Sequence, residues 1–172
     1  MMPVILAAAN FLVLVMIIVS AVLGWGEPAE DRMFLHMYWG VTTSMLGLLA
    51  HTFTMFFFIG TSKAIRLACE KHQVAYPFIE QSNTFKRVIA GRTMIANTVL
   101  FIQPVLGAAV YSGRLASEFH YLAFWLTLGV QAWVLYIELK LLGLNNVLMA
   151  KVGEWKAAGG MSAVSLDDPL SS

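Results

Sequence analysis

Residues 33–60 read MFLHMYWGVTTSMLGLLAHTFTMFFFIG, and this stretch decides the fold of the chain. It contains no Asp, Glu, Lys or Arg, and at 1.5 Å per residue a helix of this length crosses a hydrocarbon core of about 30 Å. Several polar side chains nevertheless interrupt the apolar run: His36, Thr42, Thr43, Ser44, His51, Thr52 and Thr54. We therefore predict a membrane-spanning helix with a polar face directed into a bundle.

The whole chain has the composition of a membrane protein. Hydrophobic residues make up 59% of its 172 residues and charged residues 12%, whereas soluble domains carry about 25% charged residues. The formal net charge of +1 offers no concentrated basic stripe, so we expect no nucleic-acid partner. The single cysteine, Cys69, excludes an internal disulfide and any multi-cysteine metal site within this chain.

Four apolar stretches are long enough to cross a membrane, which predicts an all-α, integral membrane four-helix bundle. The predicted spans are residues 4–24, 33–60, 93–111 and 119–142. The first stretch lacks the positive n-region of a signal peptide and is too long for an h-region, so we expect it to be an uncleaved span. Residues 1–150 then form the transmembrane domain. Residues 151–172, which end in a Gly/Ser-rich segment, form a disordered C-terminal tail.

The polar region between the second and third spans predicts the orientation in the membrane. Its basic side chains outnumber its acidic ones, which are Glu70 and Glu80. The basic residues are Lys63, Arg66, Lys71, Lys86, Arg87 and Arg92. The positive-inside rule places such a loop in the cytoplasm and gives an N-in, C-in protein. Residues 62–75 are predicted to form an amphipathic cytoplasmic helix that ends before Pro77, and residues 82–84 to cap the third helix.

His36 and His120 lie at one predicted depth, roughly 15 Å outward of the bundle midplane at 1.5 Å per residue. Two imidazoles from facing helices can hold a haem b iron as axial ligands, and Gly40 and Gly47 would let a porphyrin lie against the second helix. The 15-residue separation of His36 and His51 resembles the histidine spacing in helices of di-haem membrane cytochromes. This resemblance covers one helix and implies haem-dependent electron transfer.

Other interpretations of these residues stay open. Interfacial histidines also cap helix ends or contact water, and small residues such as Gly40 and Gly47 also let helices approach each other. A further alternative is an outward-facing metal site, because mixed imidazole and carboxylate ligands suit zinc and similar ions. The candidate ligands for it are His36, His120, Glu30, Asp31 and Glu118.

A second polar layer is predicted in the inner half of the bundle. Its members are Asn10, His51, Asn97, Gln131 and Glu138. Polar groups in a membrane are costly unless they are paired, so we expect these side chains to be hydrogen-bonded to one another. A buried imidazole and carboxylate also suit a proton or ion path, although Glu138 has Lys140 nearby and can instead extend toward the cytoplasmic surface.

No residue pattern matches a catalytic constellation, so the first functional prediction is an accessory or scaffolding membrane protein without catalysis of its own. The alternatives are a haem b-binding electron-transfer subunit and a proton or ion path. We expect the protein to be a multi-pass protein of a bacterial inner (plasma) membrane. Its expected partners are the lipid bilayer and other membrane subunits or further copies of the chain.

Overall fold

The computed structural model describes residues 1–25, 30–72 and 76–157, and every secondary-structure element in these ranges is an α-helix. The helices are α1 (Met2–Leu23), α2 (Glu30–His72), α3 (Tyr76–Tyr111) and α4 (Ser117–Ala157). All four are long and apolar enough to cross a membrane. The predicted all-α chain with four potential membrane-spanning helices is therefore confirmed.

The helices form a ring in chain order. Each helix packs against the next, α1 also packs against α4, and α2 contacts α4 across the bundle. A tight turn joins α3 to α4, and its Gly113 has φ of 69°, a left-handed conformation that glycine adopts at little cost. Short connections of this kind make consecutive helices antiparallel, so α2 and α4 run in the same direction.

Three of the helices are much longer than the first. With 22 residues α1 is about 33 Å long, whereas α2, α3 and α4 have 43, 36 and 41 residues and reach about 54–65 Å. The α2, α3 and α4 helices thus continue beyond the start of α1, and residues 61–72, 76–89 and 141–157 form a three-helix extension. Its core is Ile65, Ala68, Cys69, Phe78, Phe85, Ile89, Leu148, Val152 and Trp155.

The third helix begins at Tyr76, so the predicted start at residues 82–84 is wrong. Ser82 is buried in the extension between Phe78 and Phe85, which are also buried, and this packing outweighs the local capping signal. Pro77 lies in the first turn of α3, where the missing backbone N–H of proline carries no penalty. The amphipathic region is a continuous part of α2 as far as His72, and residues 73–75 lie outside the described ranges.

The fourth helix continues past Gly143 to Ala157. Residues 151–157, which were predicted to belong to a disordered tail, form its last turns because Val152 and Trp155 are buried against the other helices of the extension. Burial of these two side chains supplies stability that the local sequence does not indicate. Residues 158–172 lie outside the described ranges.

Candidate functional site

A cavity of about 540 Å³ lies among all four helices at the end of the bundle remote from the three-helix extension. Its volume falls within the range of about 300–1,000 Å³ that is typical of ligand and cofactor sites. The walls are mainly apolar. The polar side chains among the lining residues include Ser20, His36, Thr43, Gln103, His120 and Thr127.

His36 of α2 and His120 of α4 lie side by side at this cavity. Their ring centroids are 6.1 Å apart and the ring planes meet at 81°. A metal ion with imidazole nitrogens on opposite sides, each at about 2.0–2.1 Å, separates those nitrogens by about 4 Å, which places the ring centroids roughly 6 Å apart. The spacing of the two rings therefore suits a single metal ion shared between them.

A backbone hydrogen bond fixes the His36 ring. Nδ1–H of His36 donates to the backbone carbonyl of Ser20 at 2.7 Å, and the Ser20 hydroxyl lies 3.5 Å from the same nitrogen. Metal-bound histidines commonly donate their second ring N–H to a carbonyl in this way, which leaves a lone pair on Nε2 for the metal. Nδ1 of His120 is buried and has no such partner in the described part of the chain.

Two glycines that the sequence analysis did not single out seat the histidines. A Cβ on Gly24 would lie 2.6 Å from Nδ1 of His36, and a Cβ on Gly107 would lie 3.2 Å from Cε1 of His120. The available signal was a glycine directly after α1 and another on α3, both at the depth of the histidines. Depth along a helix could not identify these glycines, because it does not indicate which faces of two helices are in contact.

The two glycines predicted to cradle a porphyrin have different surroundings. Gly40 lines the cavity, and its nearest side-chain atom is Oγ of Ser20, 3.4 Å from where a Cβ would be. At Gly47 a Cβ would lie 2.6 Å from Leu100 and 3.0 Å from Val13. Gly47 is therefore a helix-packing position beneath the cavity, which was the alternative interpretation of this residue.

If His36 ligates a metal group, the Gly24→Ala variant is expected to bind that group about 10–100-fold more weakly, the usual effect of disturbing the partner of a metal-bound histidine. The new methyl group would displace the ring and break its bond to Ser20. Backbone strain does not contribute, because Gly24 has φ of −91°. Titration with haem, followed by absorbance, measures the change. Gly129→Ala is the control, since its Cβ meets nothing within 4 Å, and equal affinities in the two variants would contradict the prediction.

Three members of the predicted inner layer form one hydrogen-bonded network. Nδ1 of His51 lies 2.8 Å from Oε1 of Glu138, and Nε2 of His51 lies 2.8 Å from Oε1 of Gln131. Gln131 in turn donates from Nε2 to the carbonyl of Ala96 at 3.0 Å. His51 and Glu138 are 1% and 0% exposed, so a buried acid–base pair crosses the bundle from α2 to α4. Glu138 does not extend to the surface.

The other two members of the layer have different partners. Asn10 donates to the Thr54 hydroxyl at 3.0 Å, one turn along α2 from His51. Asn97 is half-buried, and its Oδ1 has no hydrogen-bond partner among the described residues. The layer thus consists of the network around His51 and a separate hydrogen bond between Asn10 of α1 and Thr54 of α2. The α3 helix contributes the Ala96 carbonyl to the network.

Both ring nitrogens of His51 are occupied by protein partners, so this histidine does not offer a metal ligand. No group of three or more His, Cys, Asp or Glu side chains suited to a metal ion occurs in residues 1–25, 30–72 and 76–157. The outward-facing zinc site, which needed Glu30, Asp31 or Glu118 beside the two histidines, is therefore not assembled there. The pair formed by His36 and His120 stands as a site of its own.

Comparison of the chain with family models, curated proteins and solved structures found no match.

Proposed function

We propose that the protein is an integral membrane haem b-binding subunit that transfers electrons, with His36 and His120 as axial ligands. In this proposal it is an accessory subunit without catalysis of its own. The observation that carries the proposal is the approach of two imidazoles from α2 and α4 to 6.1 Å at a largely apolar cavity. Apolar surroundings with two neutral imidazoles suit a low-spin haem iron.

The residues around the cavity have separate tasks in this proposal. The Ser20 carbonyl selects the tautomer of His36 that can ligate through Nε2, and Gly24 provides the space in which that ring stands. Gly107 provides the corresponding space for His120. Gly40 has no side chain and so leaves space along the α2 wall of the cavity. Haem b, when bound, supplies reversible one-electron transfer.

We further propose an N-in, C-in orientation in a bacterial inner (plasma) membrane. The extension carries exposed basic residues, and these include Lys63, Arg66, Arg87 and Lys156. The end that carries the cavity has the acidic residues Glu30, Asp31 and Glu118. The positive-inside rule favours a cytoplasmic extension, so the haem would lie toward the outer side. The partners would be the lipid bilayer and either other membrane subunits or further copies of the chain.

An absorption spectrum tests the proposal directly. The protein purified in detergent from haem-replete cells is expected to show a Soret band and, on chemical reduction, a sharp α-band. A colourless preparation that also fails to acquire these bands when haem is added would contradict haem binding. That result would favour a scaffolding protein in which the cavity takes no haem.

A further inference from the structure

A column of buried polar side chains runs along one face of α4 from the cavity toward the three-helix extension. Its members are Thr127, Gln131, Glu138 and Asn145, all at most 3% exposed. Separations of four and seven residues keep them on one helix face, and the column is about 27 Å long at 1.5 Å per residue. Buried polar side chains in membrane helices commonly mark proton or ion pathways.

The hydrogen bonds of Gln131 fix where the protons of the His51–Glu138 pair reside. Because Gln131 donates from Nε2 to Ala96, its Oε1 faces His51 and the Nε2 of His51 must carry a hydrogen. One further proton lies between Nδ1 of His51 and Oε1 of Glu138, 2.8 Å apart. The pair is therefore net neutral, either as imidazolium with carboxylate or as imidazole with carboxylic acid.

The pair is closed toward the cavity by Gln131. Gln131 uses its oxygen for His51 and a hydrogen of its nitrogen for Ala96, so its amide does not pass a proton onward. On the α1 side, the Thr54 hydroxyl accepts from Asn10 and donates to the Ala50 carbonyl.

His51 and Glu138 are themselves the charged or titratable side chains of this hydrogen-bonded network. Among the described residues, no other charged side chain hydrogen-bonds to His51 or Glu138. On α3, the guanidinium of Arg92 lies one turn from Ala96 and stacks over the Trp133 ring at 4.6 Å. A change in the charge of the pair therefore means that His51 or Glu138 has gained or lost a proton.

The pair has unmatched polar atoms toward the extension. Oε2 of Glu138 is buried without a hydrogen-bond partner among the described residues, and so is Nδ2 of Asn145, two turns further along the same face. Oδ1 of Asn145 accepts a hydrogen bond from the hydroxyl of Thr61 at 3.3 Å, and Thr61 is half-buried. Buried acceptors and donors without a protein partner are commonly satisfied by ordered water.

We propose that the His51–Glu138 pair is a proton-binding site that exchanges protons with the extension end of the bundle through Asn145 and Thr61. The incoming proton comes from water and binds Oε2 of Glu138, which gives a carboxylic acid and a net charge of +1 on the pair. The neutral pair is restored by loss of that proton or, after rotation of the carboxyl group, by loss of the proton first shared with Nδ1, and the second course exchanges a ring proton of His51. Gln131 separates this site from the cavity, and the site does not require the proposed haem.

The exchange of the His51 ring protons with water tests the inference in the full-length protein in detergent. The histidine rings are labelled with ¹⁵N, and the His51 signals are those that persist when His36, His72 and His120 are replaced by alanine. We expect Asn145→Leu to slow the exchange by about tenfold or more, which corresponds to about 1.4 kcal/mol. Thr127→Val, a matched change on the cavity side of Gln131, is expected to leave the rate unchanged.

Each other result would overturn the inference. Slower exchange in Thr127→Val than in Asn145→Leu would mean that protons enter from the cavity, and no change in either variant would mean that the polar column is not their route. If Asn145→Leu does not fold, Thr61→Val removes the hydroxyl at the half-buried end of the same route and is expected to slow the exchange in the same direction. Unchanged exchange in a folded Thr61→Val would then count against the proposal.

Discussion

Replacing either His36 or His120 by alanine is expected to abolish the low-spin haem spectrum of the purified protein. The two rings are 6.1 Å apart at the cavity, so both would hold the haem iron, and loss of one would leave the iron with a single imidazole from the protein. Added imidazole is expected to restore much of the spectrum in the His120→Ala protein, because it can replace the missing ring. Optical spectra of the oxidised and reduced proteins measure both effects.

The remaining histidine outside both polar layers provides the control. His72 lies at the end of α2, far along the chain from the cavity, and His72→Ala is expected to keep the spectrum of the unmodified protein. A His120→Ala protein with an unchanged low-spin spectrum would show that His120 is not a ligand. Met33 and Met37 also line the cavity, so an altered spectrum with a raised potential would indicate a thioether in place of the lost imidazole.

Breaking the inner acid–base pair is expected to produce the largest loss of stability. Glu138→Ala leaves the fully buried His51 without its carboxylate partner, and removing one member of a buried ion pair costs about 3–5 kcal/mol. His51→Ala is expected to cost a similar amount, because Gln131 and Glu138 both lose a donor. Unfolding in mixed micelles, with an increasing share of denaturing detergent, gives the free energies.

The double variant decides whether the two residues act as a unit. Since His51 and Glu138 are in direct contact at 2.8 Å, the double change is expected to cost clearly less than the sum of the single changes. Glu70→Ala removes an exposed carboxylate from the same bundle and is expected to alter stability by no more than about 0.5 kcal/mol. Strictly additive losses for His51 and Glu138 would refute the coupling.

Parts of the fold could be predicted because they depend on local composition. A long apolar run such as residues 33–60 has few alternatives to a membrane-spanning helix, since its backbone polar groups must be satisfied within the segment. The boundaries in the polar region were less predictable. The start of α3 at Tyr76 and the continuation of α4 to Ala157 depend on burial of Phe78, Val152 and Trp155 between helices, and a capping signal in the sequence does not report such burial.

The site residues were predictable to the extent that depth can be counted along a helix. Counting brought His36 to the level of His120, and it placed His51 in a layer with Gln131 and Glu138, where the structure has a hydrogen bond from His51 to each of the other two. It could not separate Gly40 at the cavity from Gly47 against Leu100. It also could not find Gly24, because the contacts of that glycine depend on how α1 is rotated against α2.

The sequence by itself therefore determined the all-α class, the four helices long and apolar enough to cross a membrane, and the levels of the polar groups along them, because hydrophobic length and rise per residue are properties of single segments. The tertiary structure decided which polar groups meet. It put Ser20 and Gly24 against His36, hydrogen-bonded Gln131 to Ala96, and left Oε2 of Glu138 without a hydrogen-bond partner among the described residues. These contacts depend on the rotation and packing of one helix against another, which no single segment specifies.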